Sequence, residues 1–405
     1  MKFYTRTSAL PPLRRDISGQ EAMPGVVALY DDQNYASKVV RLPMAIVEYL
    51  MLLDGRRSAE FIAQRAAVQR DFSVDDFMDI VNTLEQEYFL DSPRFRSLRD
   101  ERDRQFNELP TRPAAHAGSS YAADPDELRA ELDGYLAADN TYWNGDPAPV
   151  AVVAPHIDFR VGGLSYGPAY NALRRSDADT FVIFGVSHQM SYDSFMVSEK
   201  DFETPLGIVP TDRELISLFR ERLPFDITRN EIAHRDEHSI EFQVVFLRHI
   251  FAGRHIRIVP ILTGSLYEYV ELGDGNAGDD EQLTALYETL EKAAAELGRN
   301  VCYIAGADLC HVGRKFGDEF PASEILDELR DHDSETLAQI ARTDADGFLR
   351  SLAAVDNRYR VCGVAPIYAT LRTAGATHGR ILGYEQWDET ERESAVTFGS
   401  VALYK

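Results

Sequence analysis

The run Ala307-Asp308-Leu309-Cys310-His311-Val312-Gly313 places a carboxylate, a thiol and an imidazole within four positions. Those side chains are common ligands for borderline metal ions, and they are also the parts of a nucleophile with its base. A polar loop could carry the same residues, so the partners elsewhere in the chain decide. Three other places offer similar chemistry. His156 follows the apolar run "VAVVAP", His188 follows "TFVIFGV", and Cys362-Gly363 precedes a helical stretch that begins near Pro366. A thiol at a loop-to-helix junction is suited to a soft or borderline metal. A further stretch, "HRDEHSIEFQ", sets His238 and Glu241 three apart on one face of a helix. It has the first part of a metal-binding helix but lacks the second histidine of an HExxH motif. Asp236 and Glu237 suit a helix N-terminus, where carboxylates offset the positive end of the dipole.

Each of these residues needs an element to hold it. Continuous apolar runs at 149–155, 180–186, 194–199, 256–262 and 301–306 read as strands, with a final strand in "ESAVTFGSVALYK". Helical spacing occupies 165–175, 211–222, 238–251, 281–297, 322–341, 345–353 and 364–374. Apolar strands alternating with helices predict an α/β fold, a central mixed and mostly parallel sheet with helices on both faces. In such sheets sites form at the carboxyl ends of strands. His156, His188 and the Asp308-Cys310-His311 group each stand just past such an end, so three strands deliver them to one edge.

The first part of the chain reads differently. Residues 1–35 look irregular, punctuated by Pro11, Pro12 and Pro24. "LPMAIVEYLMLLDG" then reads as a helix stopped by Gly55, Ser58 caps "AEFIAQRAAV", and Ser73 caps "VDDFMDIVNTLEQEYFL" with Asp76 at the capping-box position. Residues 1–95 are thus expected to form a small helical or winged-helix-like module, either a structural appendage or a docking module for a peptide or protein. Residues 96–124 read as a linker in which His116 is solvated, and 125–405 as the α/β metal-site domain.

The formal charge of −24 argues against nucleic-acid or anionic-membrane partners, which need a basic surface. It is uneven: residues 1–110 carry 15 Lys and Arg against 18 Asp and Glu, so nearly all the excess lies downstream. No apolar run approaches the roughly 20 residues of a membrane span, and the start lacks a signal-peptide core. A cytoplasmic protein is expected. Three cysteines are too few for a disulfide framework, and Cys302, inside a strand, reads as a core residue.

The segments "APHIDFRVGGLSYGPAY", "FVIFGVSHQ", "TPLGIVPTD", "DEHSIEFQ", "IVPILTG", "ADLCHVG" and "VCGVAPI" follow one another over about residues 150–400. In that order the chain resembles the MEMO family, specifically its AmmeMemoRadiSam system protein B branch. The resemblance implies a fold like that of class III extradiol dioxygenases, which hold non-haem Fe(II) with two histidines and a carboxylate. For the MEMO family it implies two histidines and a cysteine, here His156, His188 and Cys362. His311 then falls at an acid/base position, and Asp308 and His238 line the same pocket. Cys310, on a tight turn, faces elsewhere. Fe(II) is the expected cofactor, with Zn(II) or Cu as alternatives. The implied partners are a radical-SAM enzyme and an AMMECR-type protein, and the substrate is a small molecule or a carried peptide. The chain departs from animal members beside the thiol, reading "GVAP" in place of "GRHP". That removes an Arg and a His that could touch substrate, but not the thiol.

The leading expectation is therefore a non-haem metal-dependent, dioxygenase-like oxidoreductase. Two others stand beside it: a non-catalytic metal-binding or redox-regulating protein, and a peptide-binding scaffold that uses the former active-site cleft. A Cys-His hydrolase fits less well, since no oxyanion-hole glycine turn adjoins either thiol.

Overall fold

The chain makes its first hairpin turn at Pro24-Gly25, where Gly25 takes a φ of +79° that a side chain resists. That turn joins β1 (Ile17–Met23) to β2 (Val26–Asp31) as an antiparallel hairpin, and β3 (Val40–Pro43) pairs antiparallel with β2. Residues 1–35 are thus not irregular throughout. Pro11 and Pro12 precede the hairpin and Pro24 sits in its turn, so none of them breaks a strand. The structure, a computed structural model, describes residues 2–31, 33–36, 38–65, 73–139, 147–189 and 193–405.

Two compact units are present: Met1–Leu109 with His188–Met190, and Pro110–Ser187 with Ser191–Lys405. In the first, helices Ala59–Arg65, Val74–Gln86 and Pro93–Glu108 follow the hairpin. Ser73 and Asp76 form the expected capping box. The expected first helix is short, a 3₁₀ turn at Met44–Ile46 followed by Val47–Leu50. Residues 66–68 of the expected second helix lie outside the described residues. Leu29, Leu42, Ile46, Phe77, Val81 and Phe89 form the core of this unit. The stretch 96–124 is not all linker, since residues up to Glu108 are helical. Its sequence is too polar for a strong apolar stripe, which is why it read as unstructured.

The second unit begins with β4 (Thr111–Arg112) and continues through β5 (Ala151–Ala154), β6 (Thr180–Val186), β7 (Phe195–Val197), β8 (Asp201–Phe202) and β9 (Arg257–Thr263). β10 (Val301–Gly306), β11 (His311–Gly313), β12 (His378–Glu389) and β13 (Ser394–Tyr404) complete it. Among the described residues, eight strands form one mixed sheet in the order β11-β13-β5-β10-β6-β9-β7, with β12 on the other side of β13. The middle four, β5, β10, β6 and β9, are parallel, and the flanking strands are antiparallel. Side chains of the parallel strands alternate into two apolar layers. Val153, Val182, Phe184 and Ala305 belong to one, and Val152, Phe181, Ile183 and Ile304 to the other. Burial on both faces is the reason these strands are apolar without interruption. Cys302, fully buried in the second layer, is the core residue its strand position predicts. β12 was not expected. Its sequence alternates polar residues and it lies half exposed at a sheet edge. No described helix is long and apolar enough to cross a membrane.

Candidate metal centre

Strand register brings the site together. Ala154 of β5 pairs with Gly306 of β10, and Gly306 pairs with Gly185 of β6, so the three form one rung across parallel strands. The residues two or three positions beyond that rung are His156, Asp308 and His188. The carboxyl edge of the sheet therefore gathers them by strand length alone.

The His238–Ile250 helix closes on this edge. Glu237 caps it, accepting from the backbone N–H groups of His238 and Ser239, and the Ser239 hydroxyl donates to the Val186 carbonyl at 2.9 Å. Gln243 donates to the Pro155 carbonyl at 2.8 Å. So close an approach needs glycine on the strands. A Cβ on Gly306 would lie 2.5 Å from the Ser239 carbonyl oxygen, and one on Gly185 would lie 2.6 Å from its hydroxyl. The helix thereby sets the His238 ring edge-on to His156, with centroids 5.2 Å apart.

His156 is buried and its ring is fixed. Nδ1 lies 2.9 Å from the Gly306 carbonyl oxygen, which only accepts, so Nδ1 carries the proton and Nε2 the lone pair. That Nε2 faces Cys362 Sγ at 3.4 Å and Asp308 Oδ2 at 3.7 Å. Asp308 Oδ1 accepts from the backbone N–H of His156 at 2.9 Å. Burial, and then the Asp308 carboxylate, push the Cys362 thiol well above its ordinary value. Ligand atoms of His156, His188 and His238 also lie within 4.8 Å of one another. A lone pair, a sulfur and a carboxylate thus face one another. A backbone carbonyl fixing the non-ligating nitrogen is the usual outer partner of a metal-bound histidine. The residues present fit a cation.

Cys362 is brought in by the turn before the Val364–Thr373 helix. Its N–H donates to the Leu309 carbonyl at 3.2 Å and that of Gly363 to the Asp308 carbonyl at 3.1 Å, stitching "VCG" to "ADLC". Three non-glycine residues with positive φ, Asp356, Asn357 and Arg360, shape the chain just before it. Arg360 pairs with Asp318 at 2.6 Å, joining this turn to the segment after His311.

Two other positions, Glu241 and His116, differ from their sequence readings. Glu241 shares a helix with His238 but not its surroundings. It forms a buried ion pair with Arg112 and accepts from the Tyr121 hydroxyl and the His116 N–H. His116, read as solvated, is half-buried against His238 and Phe242, with Nε2 3.0 Å from the Asp236 carbonyl oxygen. His311 has Nδ1 3.1 Å from the Leu309 carbonyl oxygen and its ring edge-on to Phe316. Cys310 turns its sulfur to Asp333 at 3.1 Å.

A family model described as Memo-like protein matches residues 112–402. The chain belongs to the Memo family. A MEMO1 family protein of Aquifex aeolicus is 27% identical over 398 residues, spanning 93% of this chain and 99% of its own. One from Methanosarcina barkeri is 28% identical over 299 residues, 72% of this chain and 98% of its own. One from Archaeoglobus fulgidus is 36% identical over 196 residues, 48% of this chain and 66% of its own. The Methanosarcina relative is accounted for almost wholly by part of this chain, whereas the Aquifex match must include most of the first unit as well.

Within this Memo fold, sequence reasoning missed one partner at the site. Glu237 was read as a helix-terminus charge only. Its Oε1 also lies 3.2 Å from His238 Nδ1, so it orients that ring. The adjacency "EH" at a helix start was the available signal.

Proposed function

We propose that the chain is a metal-dependent, dioxygenase-like oxidoreductase whose cation is held by His156, His188 and Cys362. Fe(II) is the first choice, and Zn(II) or Cu are the alternatives for the same donors. The observation that carries this reading is His156: its Nδ1 is committed to Gly306, so its Nε2 lone pair is presented to Cys362 and Asp308. The mixed sheet with a parallel centre supports a fold of the class III extradiol dioxygenase kind.

The cation, when bound, would supply a Lewis-acid and redox centre for O2 and an organic substrate. The chain's own groups do the rest. Asp308 holds the His156 backbone and places negative charge beside the donors. Glu237 keeps the proton on His238 Nδ1, which leaves Nε2 as the basic nitrogen. The Leu309 carbonyl does the same for His311. Either imidazole can take a substrate proton at Nε2 and return it, a contribution of roughly 10²–10⁴-fold.

One observation favours a second reading. His238 belongs to the same group as His156 and His188. If it joins Cys362 as a fourth donor, the centre is closed, as in metal sites without turnover. His238→Ala separates the two. It keeps the metal and loses turnover in the first reading, and loses metal in the second.

The rest of the proposal concerns setting. The three-stranded sheet and helices of the first unit support a winged-helix-like module, which we assign to presenting a carried peptide. The partners are a radical-SAM enzyme and an AMMECR-type protein, in the cytoplasm. Absence of both from a mild co-purification would remove that part.

The deciding experiment is metal analysis after anaerobic purification, with O2 uptake alongside. Iron should be retained by the wild type and lost in His156→Ala and Cys362→Ala chains that keep the native circular dichroism. Iron retained in both variants would overturn the assignment.

A further inference from the structure

A second constellation lies where Cys310 meets the Leu326–Ala341 helix. Cys310 Sγ is 3.1 Å from Asp333 Oδ1 and 3.6 Å from His332 Nδ1, and those two atoms are 3.5 Å apart. Cys310 and Asp333 are 0% exposed and the His332 side chain is 13% exposed. None of the three has a part in the centre described above.

The cluster is charged without a countercharge. Asp333 has no Lys or Arg paired with it among the described residues. Its Oδ2 accepts from the Tyr384 hydroxyl at 2.8 Å, which leaves Oδ1 to the thiol and the imidazole. A carboxylate held out of water in this way is unfavourable unless hydrogen bonds, a proton or a cation compensate it, and a cation compensates it most fully. Two cations are available in principle, an imidazolium at His332 or a metal ion.

The distances favour the metal. A charged N–H···O bond from His332 to Asp333 would measure about 2.7–2.9 Å, well short of the 3.5 Å found. A tetrahedral zinc with Zn–S about 2.3 Å and Zn–N and Zn–O about 2.0–2.2 Å sets its ligands roughly 3.4–3.6 Å apart. Two edges of the triangle, 3.5 and 3.6 Å, have that length, and the third, at 3.1 Å, is somewhat short. The donors are also held in place. Thr397 accepts from the Cys310 N–H through its hydroxyl at 2.9 Å and donates its own N–H to the Cys310 carbonyl at 2.9 Å. The Tyr359 ring packs edge-on to His332 at 4.7 Å.

We propose that Cys310, His332 and Asp333 form a second metal site, separate from the His156 centre, for Zn(II) or a divalent ion of its class. An ion there would tie the turn that carries Asp308 and His311 to the Leu326–Ala341 helix.

The test uses the full chain carrying Cys362→Ala, so that failure of the first centre cannot affect the result. Of the chain's three cysteines, Cys310 and Cys302 then remain, and Cys302 is buried in β10 with its sulfur toward the Pro149 carbonyl. Chelator-stripped protein is titrated anaerobically with Co(II), and thiolate-to-Co(II) charge-transfer absorption is read. The band is expected to saturate at about one Co(II) per chain and to bleach when Zn(II) is added. Adding His332→Gln should weaken the binding that produces it by about 10-fold or more, and adding Cys310→Ala should abolish it. His332 is half-buried, so the Gln variant carries the decision if Cys310→Ala does not fold. No band in a folded Cys362→Ala chain, or a band unchanged by His332→Gln, would overturn the proposal in favour of a protonated His332.

Discussion

Cys362 Sγ stands 3.4 Å from His156 Nε2 although 206 positions separate the two residues. Nothing local makes that contact. It exists because two backbone hydrogen bonds hook the Cys362 turn onto the segment after β10, whose strand is in register with the one before His156. Changes to the hooks should therefore read out at the metal.

Gly363→Ala tests them directly. A Cβ there would come within 2.5 Å of the Asp308 carbonyl oxygen and 2.7 Å of Ala307 Cβ. Overpacking of this kind costs about 1–3 kcal/mol, and the displaced turn carries Cys362 with it. Urea denaturation should show the loss, and the folded fraction should bind less metal. Full metal occupancy in the folded variant would mean that Cys362 is not a ligand.

Asp308→Asn separates charge from scaffolding. The amide oxygen can still accept from the His156 N–H, so the denaturation midpoint should move little. Metal affinity, measured by competition with a chromophoric chelator, should fall by roughly 10–100-fold, the usual effect of removing an outer partner of a ligand.

Arg112→Met strands a buried charge. Arg112 neutralises Glu241 and donates to the backbone carbonyls of His234 and Glu237, the latter at 2.6 Å. Breaking one side of such a pair costs about 3–5 kcal/mol. Glu241→Gln, which leaves Arg112 with its carbonyl partners, should cost less. Equal midpoints for both variants would remove the pair from the account of how the His238 helix is anchored.

His234 gives the fold an acid sensitivity. Burial lowers its pKa from 6.5 to about 4, and Nε2 lies 2.8 Å from the Met196 carbonyl oxygen. Between those values the unfolded chain takes up a proton that the native chain does not. This contribution to stability is therefore complete above about pH 6.5 and falls away towards pH 4, by on the order of 3 kcal/mol. His234→Asn should flatten the pH dependence of the urea midpoint in that window. An unchanged slope would assign the acid loss to other groups.

Much of the second unit was legible because its central strands are buried on both faces. "TFVIFGV" and "VCYIAG" are strands end to end, since continuous apolar runs leave little choice of boundary. The arrival of His156, His188 and Asp308 at one edge followed from strand ends alone. The misses share a physical cause, the lack of a one-dimensional signal. The Pro93–Glu108 helix is a polar element ordered by residues remote in sequence, such as Tyr35, and β12 is a polar edge strand held by pairing with the adjacent β13. Glu241 and His116 could not be placed because each is fixed by residues more than a hundred positions away, Glu241 by Arg112 and Tyr121 and His116 by Asp236, His238 and Phe242, which no periodicity connects. The Cys310 cluster was hidden for the same reason: its partners lie on a helix more than twenty positions away.

Thr397 bonds to Leu309 and Cys310 from the middle of β13, and β13 itself fills the gap between β5, β11 and β12. The turn that carries Asp308 therefore cannot be locked until residue 397 has left the ribosome. At about 5–20 residues per second, His156 emerges on the order of tens of seconds earlier. During synthesis its imidazole waits without the sulfur it will face, so the meeting of His156 with Cys362 belongs to the last stage of folding, after β13 has emerged.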